Sequence, residues 1–113
     1  MSIPEPSPVA KGHNVPEALI ECINNSNLTD ELAPYRESLV QLIRQRDEFG
    51  RQKYGQPLMS EDGRSGVEDA KQELGDLLQY AFKCKLNGSE NTFELEMMIL
   101  AAYVVFKEMF GDT

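Results

Sequence analysis

Between Thr92 and Met109 the chain presents almost no polar face: Phe93, Leu95, Met97, Ile99, Leu100, Tyr103, Val104 and Phe106 point, at helical spacing, to nearly every side. A helix that is apolar around most of its circumference has to be covered on several sides. This segment therefore constrains the fold more than any other, because further helices must surround it, from the same chain or from a second copy. Its longest apolar run, Met97 to Phe106, covers about ten residues, roughly half of what a bilayer crossing needs. It reads as a core or interface helix, and no membrane is expected as a partner.

The other segments also carry helical signals. Asn14 as a cap and Pro16 in the first turn open a short helix from Glu17 to about Ile23, which the asparagine-rich cluster 24–27 ends. Tyr35, Leu39, Leu42, Ile43 and Phe49 recur at helical spacing from Pro34 to Gln52. Gly55, Pro57 and Gly63 then break the chain into a loop over residues 54–64. Ser65-Gly66-Val67-Glu68 is a capping box that starts the next helix, and Asn87-Gly88 is its stop. No run reads as a strand. The expected fold is an all-α, antiparallel helical bundle over residues 15–113, completed by homo-oligomerisation into a dimer or tetramer. Residues 1–14, with Pro4, Pro6, Pro8 and Gly12, read as a flexible tail.

Charge and composition exclude several functions. Eleven basic against nineteen acidic residues leave a net charge of -8, which repels nucleic acid and anionic membranes. Cys22 and Cys84 are too few and too isolated for a disulfide framework or a thiolate zinc site, and read as buried, reduced thiols. The first residues lack the charged and apolar pattern of a secretory signal, so a cytoplasmic protein is expected. There is no glycine-rich phosphate loop with lysine and serine. The one histidine, His13, falls in the tail, which removes nucleophile–histidine chemistry. Hydrolysis assisted by a bound metal remains.

The acids of the third helix suit that chemistry. At about 100° per residue, Asp69, Glu73, Asp76, Tyr80 and Lys83 share one arc, bordered by an apolar arc with Leu74, Leu77 and Leu78. Like charges at i, i+4 and i+7 cost about 0.2–0.5 kcal/mol per adjacent pair. Gly75 inside the helix costs about 1 kcal/mol relative to alanine, which a close approach by a backbone or a ligand would offset. Magnesium takes oxygen ligands and often binds through one or two carboxylates plus substrate phosphates; Glu73 and Asp76, one turn apart, are the expected pair. Lys53, Arg64 and Lys83 are candidate phosphate contacts. Tyr54 either stacks on a base or anchors the loop. Glu68 belongs mainly to its capping box.

The phrase Glu73-Leu74-Gly75-Asp76-Leu77-Leu78 resembles the second acidic motif of the MazG-like, all-α nucleoside triphosphate pyrophosphohydrolases, a family that includes the dimeric dUTPases. The resemblance covers roughly residues 35–87. It implies that the Glu-x-x-Asp acts with a Glu-Glu-x-x-Glu cluster of the preceding helix to hold Mg2+, and that the α–β phosphoanhydride of a nucleoside triphosphate is cleaved to a nucleoside monophosphate and pyrophosphate. At the first motif stand Asp47 and Glu48, with Arg51 in place of the last glutamate. Asp47, at the edge of the apolar face, is the better ligand of the two; i,i+4 pairing of Asp47 with Arg51 and of Arg44 with Glu48 is the competing reading. The resemblance thus implies metal ligation by Asp47, Glu48, Glu73 and Asp76; with the reading of the residues themselves it leads to a catalytic role for Asp69, Glu73 and Asp76, and charge and position assign substrate binding to Lys53, Tyr54, Arg64 and Lys83. The alternative is a non-catalytic MazG-like interaction protein that binds nucleotides or a basic partner protein.

Overall fold

A computed structural model describes residues 7–88 and 90–111. Four α-helices carry the fold, and among the described residues there is no strand, only an isolated bridge between Asn14 and Met59. The chain divides into two compact units, Met1–Arg64 and Ser65–Thr113.

The first unit is built on α1 (Val15–Asn24) and α2 (Arg36–Tyr54). Asn14 caps α1 as its sequence suggests, its side-chain oxygen accepting from the Glu17 amide at 3.1 Å. A 3-10 turn, Ala33–Tyr35, leads into α2. The two helices run antiparallel: Arg44 reaches Glu17 at 3.4 Å near one end, and the Arg36 guanidinium donates to the Ser26 carbonyl near the other. Pro16, Ile20 and Val40 are buried between them. Gly55 ends α2 in the left-handed region (φ 76°), its amide donating to the Arg51 carbonyl at 2.7 Å.

Residues 9–15 have partners that their composition does not advertise. Val9 N donates to Asp62 O (3.0 Å), Glu61 N to Lys11 O (3.0 Å), Ser60 N to His13 O (2.8 Å) and Val15 N to Leu58 O (2.8 Å). The segment read as an unanchored tail is thus tied to loop 58–62 from Val9 onward. The bonds are made by the backbone, which proline and glycine counts do not report. Residues 1–6 lie outside the described residues. Gly12 is needed for this pairing: its φ is +89°, and a Cβ there would run into the Ser60 hydroxyl.

The second unit is an antiparallel helical hairpin of α3 (Gly66–Leu86) and α4 (Thr92–Val105). Ser65 caps α3, accepting from the Glu68 amide at 3.1 Å. Lys85 Nζ donates to Thr92 Oγ1 (3.3 Å) at the turn, and Lys71 lies over the Phe110 ring (5.6 Å) at the open end. A π-helical turn, Phe106–Phe110, follows α4 and carries Phe110 to a buried position, edge-on to Phe106 at 5.7 Å. The helix expected to run to Met109 changes its winding after Val105.

Two expectations about burial do not hold. On α4 only Leu95 is buried, while Phe93, Met97, Leu100, Tyr103, Val104 and Phe106 are exposed; apolar residues point to every side, and α3 covers one side only. Cys22 and Cys84 are free, as read, but exposed. No described helix is long and apolar enough to cross a membrane.

The N-terminal pairing makes a stability prediction. Gly12→Ala forces a side chain into a left-handed conformation and against Ser60, and should destabilise the fold by about 1–2 kcal/mol. Amide hydrogen exchange at Val9, Ser60 and Glu61 should accelerate most; unchanged exchange there would mean that the segment does not hold the loop.

Candidate functional site

The three acids of α3 sit where helical periodicity puts them. Glu73 and Asp76 are exposed and Asp69 is half-buried. None of their carboxylates accepts a hydrogen bond or makes an ion pair among the described residues, while the neighbouring Glu68 meets Lys71 at 3.9 Å. The face of α3 turned to α4 carries Leu74 and Leu78. At about 100° per residue the acids point well away from it, so they do not border the α3–α4 contact. Lys83 is exposed on the same helix. Uncompensated like charges on one face raise the energy of the folded chain and leave these carboxylate oxygens available to a cation.

On α2 the competing reading of Asp47 is realised. Arg51 Nε donates to both Asp47 oxygens at 3.1 and 3.0 Å, and the Asp47 side chain is only 12% exposed. This carboxylate is engaged by its own helix. Glu48 is exposed and accepts from Gln52 Nε2 at 3.3 Å, whereas Arg44 turns to Glu17 and not to Glu48. The residue standing in place of the third glutamate thus holds the better ligand candidate of the first motif.

Three of the four substrate-binding candidates gather at the end of α2. Lys53 Nζ lies 5.2 Å and the Arg64 guanidinium carbon 5.0 Å from the centre of the Tyr54 ring. Local backbone chemistry explains how Arg64 gets there. Gly63 turns the chain with φ +85°, and Asp62 accepts the Arg64 amide on its side chain at 3.0 Å. Asp62 is itself buried. Tyr54 therefore anchors the loop and serves as a platform for two cations, a surface suited to phosphate oxygens more than to a stacked base.

One contributor escaped the reading of the sequence, and the same loop holds one buried donor. Asp62 looked like one more loop acid, yet it sets the turn that aims Arg64; the Asp-Gly dipeptide was the available signal. Gln56 carries a buried Nε2 with no hydrogen-bond partner among the described residues, a donor that costs about 1–3 kcal/mol to leave unmet. Its sequence context announced nothing.

Gly75 has a different setting from the one expected. No backbone approaches it, and a Cβ there would meet nothing within 4 Å. It lies along an open apolar groove of about 660 Å3 between α3, α4 and the π-helical turn, with Leu74, Leu78, Ile99, Tyr103 and Phe106 beside it and Lys71 and Lys107 among its lining.

In comparisons with known proteins, no family model matches the chain, and no curated protein or solved structure matches it. The weight of the reading therefore falls on the donors themselves. Among the described residues no three His, Cys, Asp or Glu side chains form a group that could hold a metal ion. Glu73 and Asp76 are nevertheless hard oxygen donors, exposed and unpaired. They fit a Mg2+ ion that arrives with substrate phosphates and keeps its waters, and do not fit an all-protein cage.

Gly75→Ala tests the groove. With no steric obstacle, the substitution should stabilise the protein by about 0.5–1 kcal/mol through helix propensity. A rise of a few degrees in melting temperature is the expected outcome; a fall would show that the position is crowded in the folded protein.

Proposed function

We propose that the chain is a Mg2+-dependent nucleoside triphosphate pyrophosphohydrolase with a MazG-like bundle, acting as a homo-oligomer in the cytoplasm. The observation that carries this reading is the set of three uncompensated carboxylates, Asp69, Glu73 and Asp76, on one face of α3. A merely solvated face gains nothing from stacking like charges one turn apart, whereas a site for a cation bound to a polyphosphate requires it. The cations gathered on Tyr54 support the same reading from the substrate's side.

In this reading Glu73 and Asp76 would hold the ion through their free oxygens. When bound, Mg2+ neutralises phosphate charge and polarises the phosphorus toward attack. Asp69, half-buried beside them, accepts a hydrogen bond from the attacking water and orients it. Lys53 and Arg64, in the first unit, keep their expected part as phosphate contacts by charge alone. Lys83 adds a further cation on the acid-bearing helix.

A second reading rests on one specific observation. The Asp47–Arg51 pair engages the carboxylate that the first motif would offer, which favours a non-catalytic MazG-like protein that binds nucleotides or a basic partner. A panel of ordinary and modified nucleoside triphosphates with magnesium separates the two, read as pyrophosphate against single phosphate. Release of pyrophosphate supports the enzyme, and binding without turnover supports the alternative.

Neutralising the acids gives a sharper test. Glu73→Gln and Asp76→Asn should each abolish turnover while leaving helicity unchanged. In chelator, Asp76→Asn should be as stable as the wild type or more stable by some tenths of a kcal/mol, since one repulsion is removed. Magnesium should raise the melting temperature of the wild type and not of the mutant. Destabilisation of the mutant in chelator, with no magnesium effect on the wild type, would overturn the metal-site reading.

A further inference from the structure

Arg64 is separated from Tyr54 by a whole loop, yet its guanidinium carbon lies 5.0 Å from the centre of the Tyr54 ring. The side chain of Asp62, which accepts the Arg64 amide, and the positive φ of Gly63 (+85°) aim Arg64 relative to Asp62 only. Nothing in that turn fixes Asp62 relative to α2, and closing a flexible loop costs conformational entropy.

The further constraint comes from the start of the same unit. Val9 N donates to Asp62 O at 3.0 Å, Glu61 N to Lys11 O at 3.0 Å, Ser60 N to His13 O at 2.8 Å and Val15 N to Leu58 O at 2.8 Å. Alternate residues 9, 11, 13 and 15 thus face the loop with the period of a strand. The Ser60 hydroxyl adds a bond of 2.8 Å by accepting the His13 amide. At Val15 the segment passes without a break into α1, which is held on α2 through Ile20, Val40 and the Glu17–Arg44 pair. A closed circuit results: α2, α1, residues 9–15, loop 58–62, Arg64, and back to Tyr54 at the end of α2. All of it lies within the first unit. Asp62, 5% exposed, joins the segment to the cation, because its carbonyl takes Val9 N and its carboxylate takes Arg64 N.

We infer that residues 9–15 are a strap that positions Arg64 over Tyr54, and that anion binding at Lys53 and Arg64 is conditional on the strap being seated. Val9, Ser60 and Asp62 act through Arg64 as positioning residues. The first half stands on the bonds alone; the second rests on the reading of Lys53 and Arg64 as phosphate contacts. Residues 9–13 are exposed, and backbone bonds at an exposed edge open locally at less cost than the unit unfolds. The strap can therefore let go while α1 and α2 stay packed, which makes the N-terminal segment a control on affinity for polyphosphate.

Val9→Pro removes the amide that reaches Asp62, at a residue that is itself 52% exposed. The chain has no tryptophan, so Tyr54→Trp supplies a single indole that keeps a ring for both cations. In that background Arg64→Ala should shift the emission, Val9→Pro should shift it in the same direction, and the double variant should match Arg64→Ala. Emission unchanged by Val9→Pro, or shifts that add in the double variant, overturns the strap. Inorganic triphosphate titrated against the same emission reads the second half. Val9→Pro should raise the apparent Kd several-fold, and should raise it no further once Arg64→Ala is present; an unchanged Kd in Val9→Pro overturns the conditional binding. Coupled emission shifts with no triphosphate binding by any form sink Lys53 and Arg64 as phosphate contacts and leave the strap standing.

Should the indole variant fail to fold, amide hydrogen exchange on the chain with Tyr54 retained decides. Val9→Pro should speed exchange at Ser60, Glu61 and Arg64 several-fold and leave Val40, buried on α2, unchanged. Arg64 exchanging at its native rate, or Val40 accelerated equally, overturns the inference.

Discussion

The structure depends on an imbalance in α4, which is apolar on every side and, within its own unit, is covered by α3 and the π-helical turn alone among the described residues. Burial of apolar surface stabilises a fold by about 25 cal/mol per Å2, and a helix leaves that stabilisation unrealised wherever its side chains stay in water. In the hairpin unit, α3 and the π-helical turn cover Leu95 and Phe110 and little else completely. The features around α4 answer to that constraint. The π-helical turn folds Phe110 back under Lys71, the groove remains open beside Gly75, and Phe93, Met97, Leu100 and Val104 are left exposed. A hairpin of fewer than fifty residues is near the size at which a single core stops being sufficient, so the uncovered surface marks where the rest of its stability has to come from.

Much of the helical framework was legible because it is encoded locally. Asn14 and Ser65 cap the helices they were expected to cap, and Gly55 stops α2 in a left-handed turn. Each involves residues within four positions of one another, where backbone sterics and one hydrogen bond decide. The anchoring of residues 9–15 was not legible: it rests on backbone groups far apart in the sequence, from Val9–Asp62 to Val15–Leu58, and any sequence able to adopt extended geometry can make such bonds. The exposure of α4 was misjudged for a related reason, since periodicity tells which residues want to be buried and not whether the chain has enough partners to bury them.

The candidate site divides along the same line. Glu73 and Asp76 could be placed on one face of a helix from their spacing alone, and Asp47–Arg51 from an i,i+4 rule. That Lys53 and Arg64 would meet over Tyr54 depended on the path of the loop 54–64. That path is set by Gly55, Gly63 and the buried Asp62, whose side chain takes the Arg64 amide. The loop thus places Arg64 by turn chemistry, and its meeting with Lys53 over Tyr54 is legible only after the turn has been solved.

Arg51 bears on how such a site could still work. A glutamate at that position would add a further negative charge one turn from Asp47 and raise the repulsion that a cation relieves; arginine cancels it within the helix. With Asp47 paired to Arg51 on α2, the proposed cation affinity rests on α3, where Asp69, Glu73 and Asp76 have no counter-charge among the described residues. Two free carboxylates are enough for an ion that is mostly coordinated by phosphate and water, and too few to hold one tightly beforehand. In the proposed reading the donor set of α3 thus suits an ion that enters with its nucleotide.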